Sequence, residues 1–133
     1  MVACLENRIW GNIMIWVANA LVAVVAALHL YFLILEMFLW TRPLGLKTFR
    51  NSPEKAAASA VLAANQGLYN GFLAAGLVWG LVQSTPSFAF QIKVFFLLCV
   101  VAAGLYGAAT VSRRILYVQA APAALALILL WLA

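Results

Sequence analysis

Four side chains able to bind a polar group lie within six positions of an otherwise apolar stretch. The stretch AANQGLYNGFLAAGL lies within residues 56–83, which carry no charge. The four are Asn65, Gln66, Tyr69 and Asn70, and on a helix they span an arc of about 140°. Amides and a phenol both donate and accept hydrogen bonds. Since unpaired polar groups are costly in hydrocarbon, we expect this face to meet protein or a cavity.

Two further apolar stretches carry polar groups at helical spacing. His29 and Glu36 are seven residues apart and share a helix face. If the third apolar stretch continues as a helix, Tyr106, Thr110, Arg113 and Tyr117 fall within about 60° of one another. We expect these groups to converge in one half of the molecule. The predicted ligand-binding residues are Glu36, Asn65, Gln66, Tyr69, Asn70, Tyr106, Thr110, Arg113 and Tyr117.

A purely structural role is the alternative for each of these groups. Glu36 would then be tied to an arginine near the lipid headgroups, and the amides would hold helices together through hydrogen bonds. A packed, hydrogen-bonded role is predicted for His29 in either case. Four polar groups on one helix exceed what such bonds need, since each contributes only about 1 kcal/mol, and this favours a pocket.

The sequence lacks the enzyme signatures that depend on fixed spacing. There are no paired carboxylates, no cysteine and histidine cluster, no serine elbow and no phosphate loop, and one histidine cannot build a four-ligand metal site. We therefore predict no metal site and assign neither a catalytic residue nor a cofactor. Whether the pocket only binds or also catalyses stays open.

Composition indicates how these residues are positioned. Of 133 residues, 68% are hydrophobic and 8% charged, and the mean hydropathy is +1.07, which predicts an integral membrane protein. A membrane-spanning helix needs ~20 apolar residues. Four stretches qualify, residues 13–40, 56–83, 88–111 and 115–132. The predicted fold is all-α, a polytopic membrane protein forming one four-transmembrane-helix bundle over residues 1–133.

The positive charges predict the orientation of the bundle. The net charge is +5, but the cations flank the spans rather than forming a nucleic-acid-binding patch. Six lie in the first and third connections, Arg42, Lys47, Arg50, Lys55, Arg113 and Arg114, against Arg8 and Lys93 on the other side. Because basic residues stay cytoplasmic, both termini should lie outside, in a multi-pass protein whose first partner is the lipid bilayer.

A ridge of small residues follows the second span. Ala63, Gly67, Gly71 and Ala75 recur every fourth position on the side away from most of the polar arc. Such ridges let another backbone approach closely. The first connection, residues 41–55, is interpreted as a loop in which Pro43 and Gly45 end the first helix.

Three blocks of the sequence, HLYFLILEMFLWTRP, AANQGLYNGFLAAGLVWGL and GLYGAATVSRRILYVQAAPA, resemble in order and spacing the bacterial membrane family called domain of unknown function 1304. The resemblance covers nearly the whole chain after about Ile13. It implies a small inner-membrane protein with four helices and carries no established activity.

The chain is more faintly similar to the membrane-associated proteins in eicosanoid and glutathione metabolism, the MAPEG family. That resemblance rests on Glu36, Asn65, Tyr106, Arg113, Arg114 and Tyr117. It implies a four-helix protomer with outward termini, a basic first inner loop and a trimer with sites between protomers. Around its asparagine that family typically bears an arginine and an acidic residue, where this chain has Gln66, Leu68 and Asn70. The resemblance thus implies architecture rather than glutathione binding.

These patterns favour a small oligomeric membrane protein with a polar pocket in the cytoplasmic half, binding a small amphipathic or lipid-like ligand. Homo-oligomers and larger membrane complexes both fit. One alternative is a proton-coupled small transporter or channel built around Glu36. Another is a structural accessory subunit of a membrane complex, for which the ridge at Gly67 and Gly71 would be the essential feature.

Overall fold

The computed structural model describes the backbone of residues 2–133 and the side chains of residues 9–133. The elements are α1 (Val2–Met37), α2 (Pro43–Phe49), α3 (Pro53–Val82), α4 (Pro86–Thr110), a π-helical turn (Leu116–Ala120) and α5 (Ala121–Leu132). The all-α prediction is confirmed over the described residues. The side chain of Arg8, predicted to face outward, lies outside them.

Prolines mark the starts of three helices. Pro43, Pro53 and Pro86 lie in the first turns of α2, α3 and α4, where a missing N–H costs nothing. Ser52 caps α3 by accepting a hydrogen bond from the Lys55 N–H at 3.3 Å. The prediction that Pro43 and Gly45 end the first helix is wrong, because α1 ends at Met37 and both residues belong to α2.

The four long segments form a ring in which α1 contacts α3, α3 contacts α4, α4 contacts α5, and α5 contacts α1. Trp40 bonds Ser59, while Gly71 farther along α3 packs on Leu33, so α1 and α3 run antiparallel. Gly11 lies beside Ala133, so the early part of α1 and the end of α5 lie at the same end of the bundle. We call this the terminal end, and the opposite end, with connections 38–52 and 111–115, the basic end.

An apolar core fills the part of the bundle nearer the terminal end. Its buried members are Ala18, Val22, Val25, Ala26, Leu77, Leu97, Val100, Ala123, Ala126 and Leu130. Glycines bring the helices close around it, since Gly76 packs on the ring of Phe96 in α4. We call this region the closed half and the region between it and the basic end the open half.

Two helices are long and apolar enough to cross a membrane, Ile9–Met37 and Pro86–Thr110. The segment Leu116–Leu132 is apolar but shorter. α3 has the length, but the amides at its centre lower its hydropathy. The described residues thus support a membrane protein through two helices.

Candidate functional site

One stripe of α1 faces the bundle axis from Ala18 to His29. Ala18, Val22, Val25 and His29 follow one another on this stripe and are each at most 1% exposed. Glu36, seven residues after His29, is on the same stripe but only partly buried. Burial along this stripe is therefore nearly complete as far as His29 and partial at Glu36, toward the basic end.

Glu36 is paired with an amide of α3. The Asn70 Nδ2 donates to Glu36 Oε2 at 2.8 Å. The pair forms because Gly67 is buried against α1, where a Cβ would lie 2.6 Å from Met37 Cγ and 3.1 Å from Glu36 Cβ. The close approach predicted from the small-residue ridge is thus confirmed at Gly67, and it brings Asn70 within reach of the carboxylate.

The stripes of α3 and α4 that pack together toward the terminal end continue as exposed residues toward the basic end. The two helices touch where Gly76 packs on Phe96. The residues seven and fourteen positions nearer the basic end on these facing stripes are Tyr69 and Leu62 on α3, and Ala103 and Thr110 on α4. All four are exposed, Tyr69 by 57% and Leu62 by 68%. We call these exposed stripes of α3 and α4 in the open half, together with the space between them, the cleft.

Polar side chains line this cleft. Gln66 is exposed and lies three and four positions before Tyr69 and Asn70, so the three are neighbours on the α3 surface. Across the cleft, the Thr110 hydroxyl donates to the Tyr106 carbonyl oxygen at 2.8 Å. The cleft thus has Gln66 and Tyr69 on one wall and Thr110 on the other.

Four predicted site residues lie on the outer surface of the single chain. They are Asn65, Tyr106, Arg113 and Tyr117, all exposed, the two tyrosines by 74% and 72%. The expectation that Arg113 and Tyr117 continue the helical face of Tyr106 and Thr110 is wrong, because α4 ends at Thr110. The side-chain partner of Glu36 is Asn70, and Arg113 lies exposed in the turn after α4.

His29 is a buried polar residue at the boundary between the closed half and the open half. It is 1% exposed, its Nδ1 lies 2.8 Å from the Val25 carbonyl oxygen, and its Nε2 lies 3.2 Å from Gln119 Nε2. A carbonyl oxygen only accepts, so Nδ1 carries the proton and Nε2 accepts from the Gln119 amide. The predicted packed, hydrogen-bonded histidine is confirmed.

Gln119 is presented by the π-helical turn. The Ala121 N–H donates to the Leu116 carbonyl, five residues back, in place of the α-helical bond four residues back. Pro122 follows and has no N–H to offer. Gln119 was not among the residues predicted from the sequence. The feature that could have indicated it is a polar residue three positions before a proline inside an apolar span.

A third polar pair lies in the closed half. Lys93 Nζ donates to Asn19 Oδ1 at 2.7 Å, and Lys93 is 6% exposed. The interpretation of Lys93 as a cation flanking a span is wrong, because it lies inside α4, and Gly80 leaves room for its stem. Three polar residues of α1 are thus bonded to α4, the π-helical turn and α3 in turn.

These features define a class, an all-helical bundle with an apolar core toward one end and a hydrogen-bonded carboxylate and amide pair toward the other. The chain belongs to the family described as a protein of unknown function (DUF1304), whose model matches residues 23–131. It is 32% identical over 106 residues to the uncharacterized protein YpaA of Lactococcus lactis subsp. lactis (strain IL1403), covering 78% of this chain and 87% of YpaA. No solved structure matches the chain. The likeness to the MAPEG family stays a prediction.

Proposed function

We propose that this chain crosses the bacterial inner membrane four times, with both termini outside and the basic end in the cytoplasm. Support comes from the two apolar helices, from α3 and α5, which each pack antiparallel to α1 in the same ring, and from the cations of connections 38–52 and 111–115. Basic residues are retained on the cytoplasmic side of membranes. The open half then belongs to the inner leaflet.

In this placement the open half is a binding pocket for a small amphipathic or lipid-like ligand. The observation that carries the proposal is the change along one stripe of α1, from buried at His29 to partly buried at Glu36. Asn70 engages Glu36 Oε2, and a carboxylate has a second oxygen that accepts hydrogen bonds. An amphipathic molecule would place its polar end there.

The walls of the cleft suit the apolar part of such a ligand. Leu62 and Ala103 line it together with the ring of Tyr69, and all three are exposed in the single chain. A cleft between two membrane helices admits a ligand sideways from the bilayer. This arrangement is MAPEG-like in architecture, without the charged residues that surround the asparagine in that family.

Homo-oligomer formation is part of the proposal. Asn65 and Tyr106 are exposed at depths where hydrocarbon would leave their polar atoms unsatisfied. A second copy that covers this surface would satisfy them, and a trimer is the state that the MAPEG resemblance implies. Native mass spectrometry of the detergent-extracted protein tests this, and a monomer at micromolar concentration would contradict it.

Spin-labelled stearic acid tests the pocket. In reconstituted vesicles, wild-type protein should give an immobilised component in the electron paramagnetic resonance spectrum beyond that of ordinary boundary lipid. Replacing Gln66 and Tyr69 by alanine should reduce this component severalfold, because both side chains line the cleft. Leu68→Ala is the matched control, since Leu68 is one residue from Tyr69 and about 100° around the helix.

Equal loss in the Leu68 variant would show that the probe reports the general protein surface and would contradict the pocket. A density map of the protein in lipid nanodiscs gives an independent test. Elongated density between Tyr69 and Thr110 is expected, and protein packed without a gap between these residues would overturn the proposal.

One observation favours a second candidate, proton-coupled transport. The polar residues Asn19, His29 and Glu36 are each hydrogen-bonded to a different neighbour at successive levels of α1. Their spacing of ten and seven residues corresponds to rises of about 15 Å and 10 Å. In proteoliposomes that enclose a pH-sensitive dye, Glu36→Gln should abolish proton uptake under this hypothesis and leave it unchanged under ligand binding alone.

A further inference from the structure

The short helix α2 is docked firmly at the basic end. Gly45 is buried against the carbonyl oxygens of Leu39 and Trp40, and a Cβ there would collide with them. The rings of Trp40 and Phe49 lie 4.6 Å apart, and Trp40 Nε1 donates to Ser59 Oγ at 3.1 Å. The contacts of Gly45 and Phe49 therefore hold α2 against the connection that follows α1, and Trp40 ties this connection to α3.

The outward face of α2 combines an apolar residue with cations. Leu44 is 49% exposed, and Lys47, three positions on, lies beside it. Arg42 and Arg50 flank the helix at its two ends, and both are exposed. A leucine between basic side chains is typical of a helix that lies in a membrane interface, where the leucine enters the acyl boundary and the cations reach the headgroups.

Arg50 occupies a backbone conformation that normally selects glycine. Its φ is 55° and its N–H donates to the Leu46 carbonyl oxygen at the end of α2. Among the described residues it is the one non-glycine with positive φ. Such positions cost a side chain about 1 kcal/mol or more. An arginine kept there indicates that its charge has a use.

The acidic residue that follows α2 in the chain, Glu54, interacts with the first turn of its own helix, α3. Glu54 lies in the first turn of α3, where its own backbone N–H and the Ser52 hydroxyl hold the pKa of its carboxyl below the usual value. Its charge therefore complements the N-terminus of α3. The cations around α2 are left to complement an anionic surface outside the protein.

We propose that α2 is an interfacial helix that binds anionic phospholipid headgroups of the inner leaflet through Arg42, Lys47 and Arg50. This rests on the membrane placement proposed above and is independent of the pocket. The exposed Leu44 favours a lipid surface over free phosphate, which would gain nothing from an apolar neighbour.

Lipid competition tests the assignment. Detergent-extracted protein is titrated with an equimolar mixture of phosphatidylglycerol and phosphatidylcholine, and retained lipid is counted by native mass spectrometry. Wild type should prefer phosphatidylglycerol. The double variant Lys47→Gln with Arg50→Gly should lose this preference by about tenfold, since each basic residue near an anionic surface contributes a severalfold factor. Arg50→Gly relieves the positive φ, so the fold should be kept, and an unchanged melting temperature checks this.

The matched control, Arg113→Gln with Arg114→Gln, removes the same charge at the same end from a turn that carries no interfacial helix, so it should lower the preference clearly less than the α2 double variant does. An equal loss in the control would overturn the proposal, as would a wild type without preference. Abolition of the preference by millimolar inorganic phosphate would assign a free-anion site instead. Resistance to alkaline carbonate extraction tests the membrane placement separately, and the stearic acid probe tests the pocket.

Discussion

The closed and open halves of the bundle are built from the same helices but differ in packing and polarity. In the closed half, Val22, Leu97 and Ala126 meet in an apolar core, and the buried charge of Lys93 is confined to one bond with Asn19. In the open half, the same stripe of α1 carries Glu36, and the stripes of α3 and α4 that border the cleft are exposed. Buried apolar side chains are concentrated in the closed half, and exposed polar side chains in the open half.

The difference shows that small residues decide where the bundle closes. Gly76 and Gly80 allow α3 to reach Phe96 and Lys93 of α4 in the closed half. In the open half the close approach is on another side, because Gly67 packs α3 on α1 rather than on α4. Pairing α3 with α1 there leaves the stripes of α3 and α4 that border the cleft exposed.

Deleting a side chain of the closed core should have the largest effect. Leu97 is fully buried, so Leu97→Ala should lower the free energy of unfolding by about 2–5 kcal/mol through lost packing and a cavity. Reversible unfolding in a sodium dodecyl sulfate titration measures this. Leu62→Ala, in the cleft, is the counterpart and should change stability by no more than about 0.5 kcal/mol. Equal costs would contradict the division into two halves.

Adding one methyl group at Gly67 should have the next largest effect. On an exposed helix, glycine to alanine gains about 1 kcal/mol of helix propensity. At Gly67 the new Cβ would lie 3.1 Å from the Leu33 carbonyl oxygen and closer to Met37 Cγ, so we expect a net loss of about 1–3 kcal/mol. Ala58→Leu on the exposed face of α3 controls for a general effect of added volume. A stabilised Gly67→Ala protein would show that α1 and α3 do not need this approach.

Much of the fold could be predicted because apolar length and small-residue spacing are local signals. The predicted spans 56–83 and 88–111 agree with α3 and α4 within a few residues. The helix α2 was missed because its seven residues are shorter than any periodic pattern can show, and it is held by the packing of Gly45 on Leu39 and Trp40 just after α1.

The site was predictable only in part because a helical arc does not say which side faces a neighbour. Asn65 and Asn70 were placed together on one polar face, but their separation of five positions corresponds to about 140° of rotation. The packing of Gly67 on α1 turns Asn70 inward and leaves Asn65 outside. Which helix a ridge meets is decided by tertiary packing, and that information is not local.

The hydrogen bond between Glu36 and Asn70, in the open half, should contribute less to the free energy of unfolding than the two changes above. Asn70→Ala and Glu36→Gln, alone and combined, form a double-mutant cycle on their 2.8 Å hydrogen bond. We expect a coupling energy of about 1 kcal/mol, because the pair is only partly buried and water competes for it. Unfolding in sodium dodecyl sulfate measures each corner. A coupling near zero would mean that the bond does not stabilise the folded protein, while the pocket could still be tested with stearic acid.

The smallest effect is expected at the boundary between the halves. Pro122→Ala supplies an N–H that can donate to the Val118 carbonyl, which should let the π-helical turn relax to an α-helix and rotate Gln119 away from His29. Stability should change by less than about 1 kcal/mol, because one hydrogen bond replaces another.

The measurement is the nitrogen-15 chemical shift of His29 Nε2, which should move toward that of an imidazole nitrogen without a donor. Gln119→Leu should give the same shift by removing the donor directly. An unmoved signal in Pro122→Ala, with a moved one in Gln119→Leu, would show that packing of α5 on α4 holds the π-helical turn and that the proline only accompanies it.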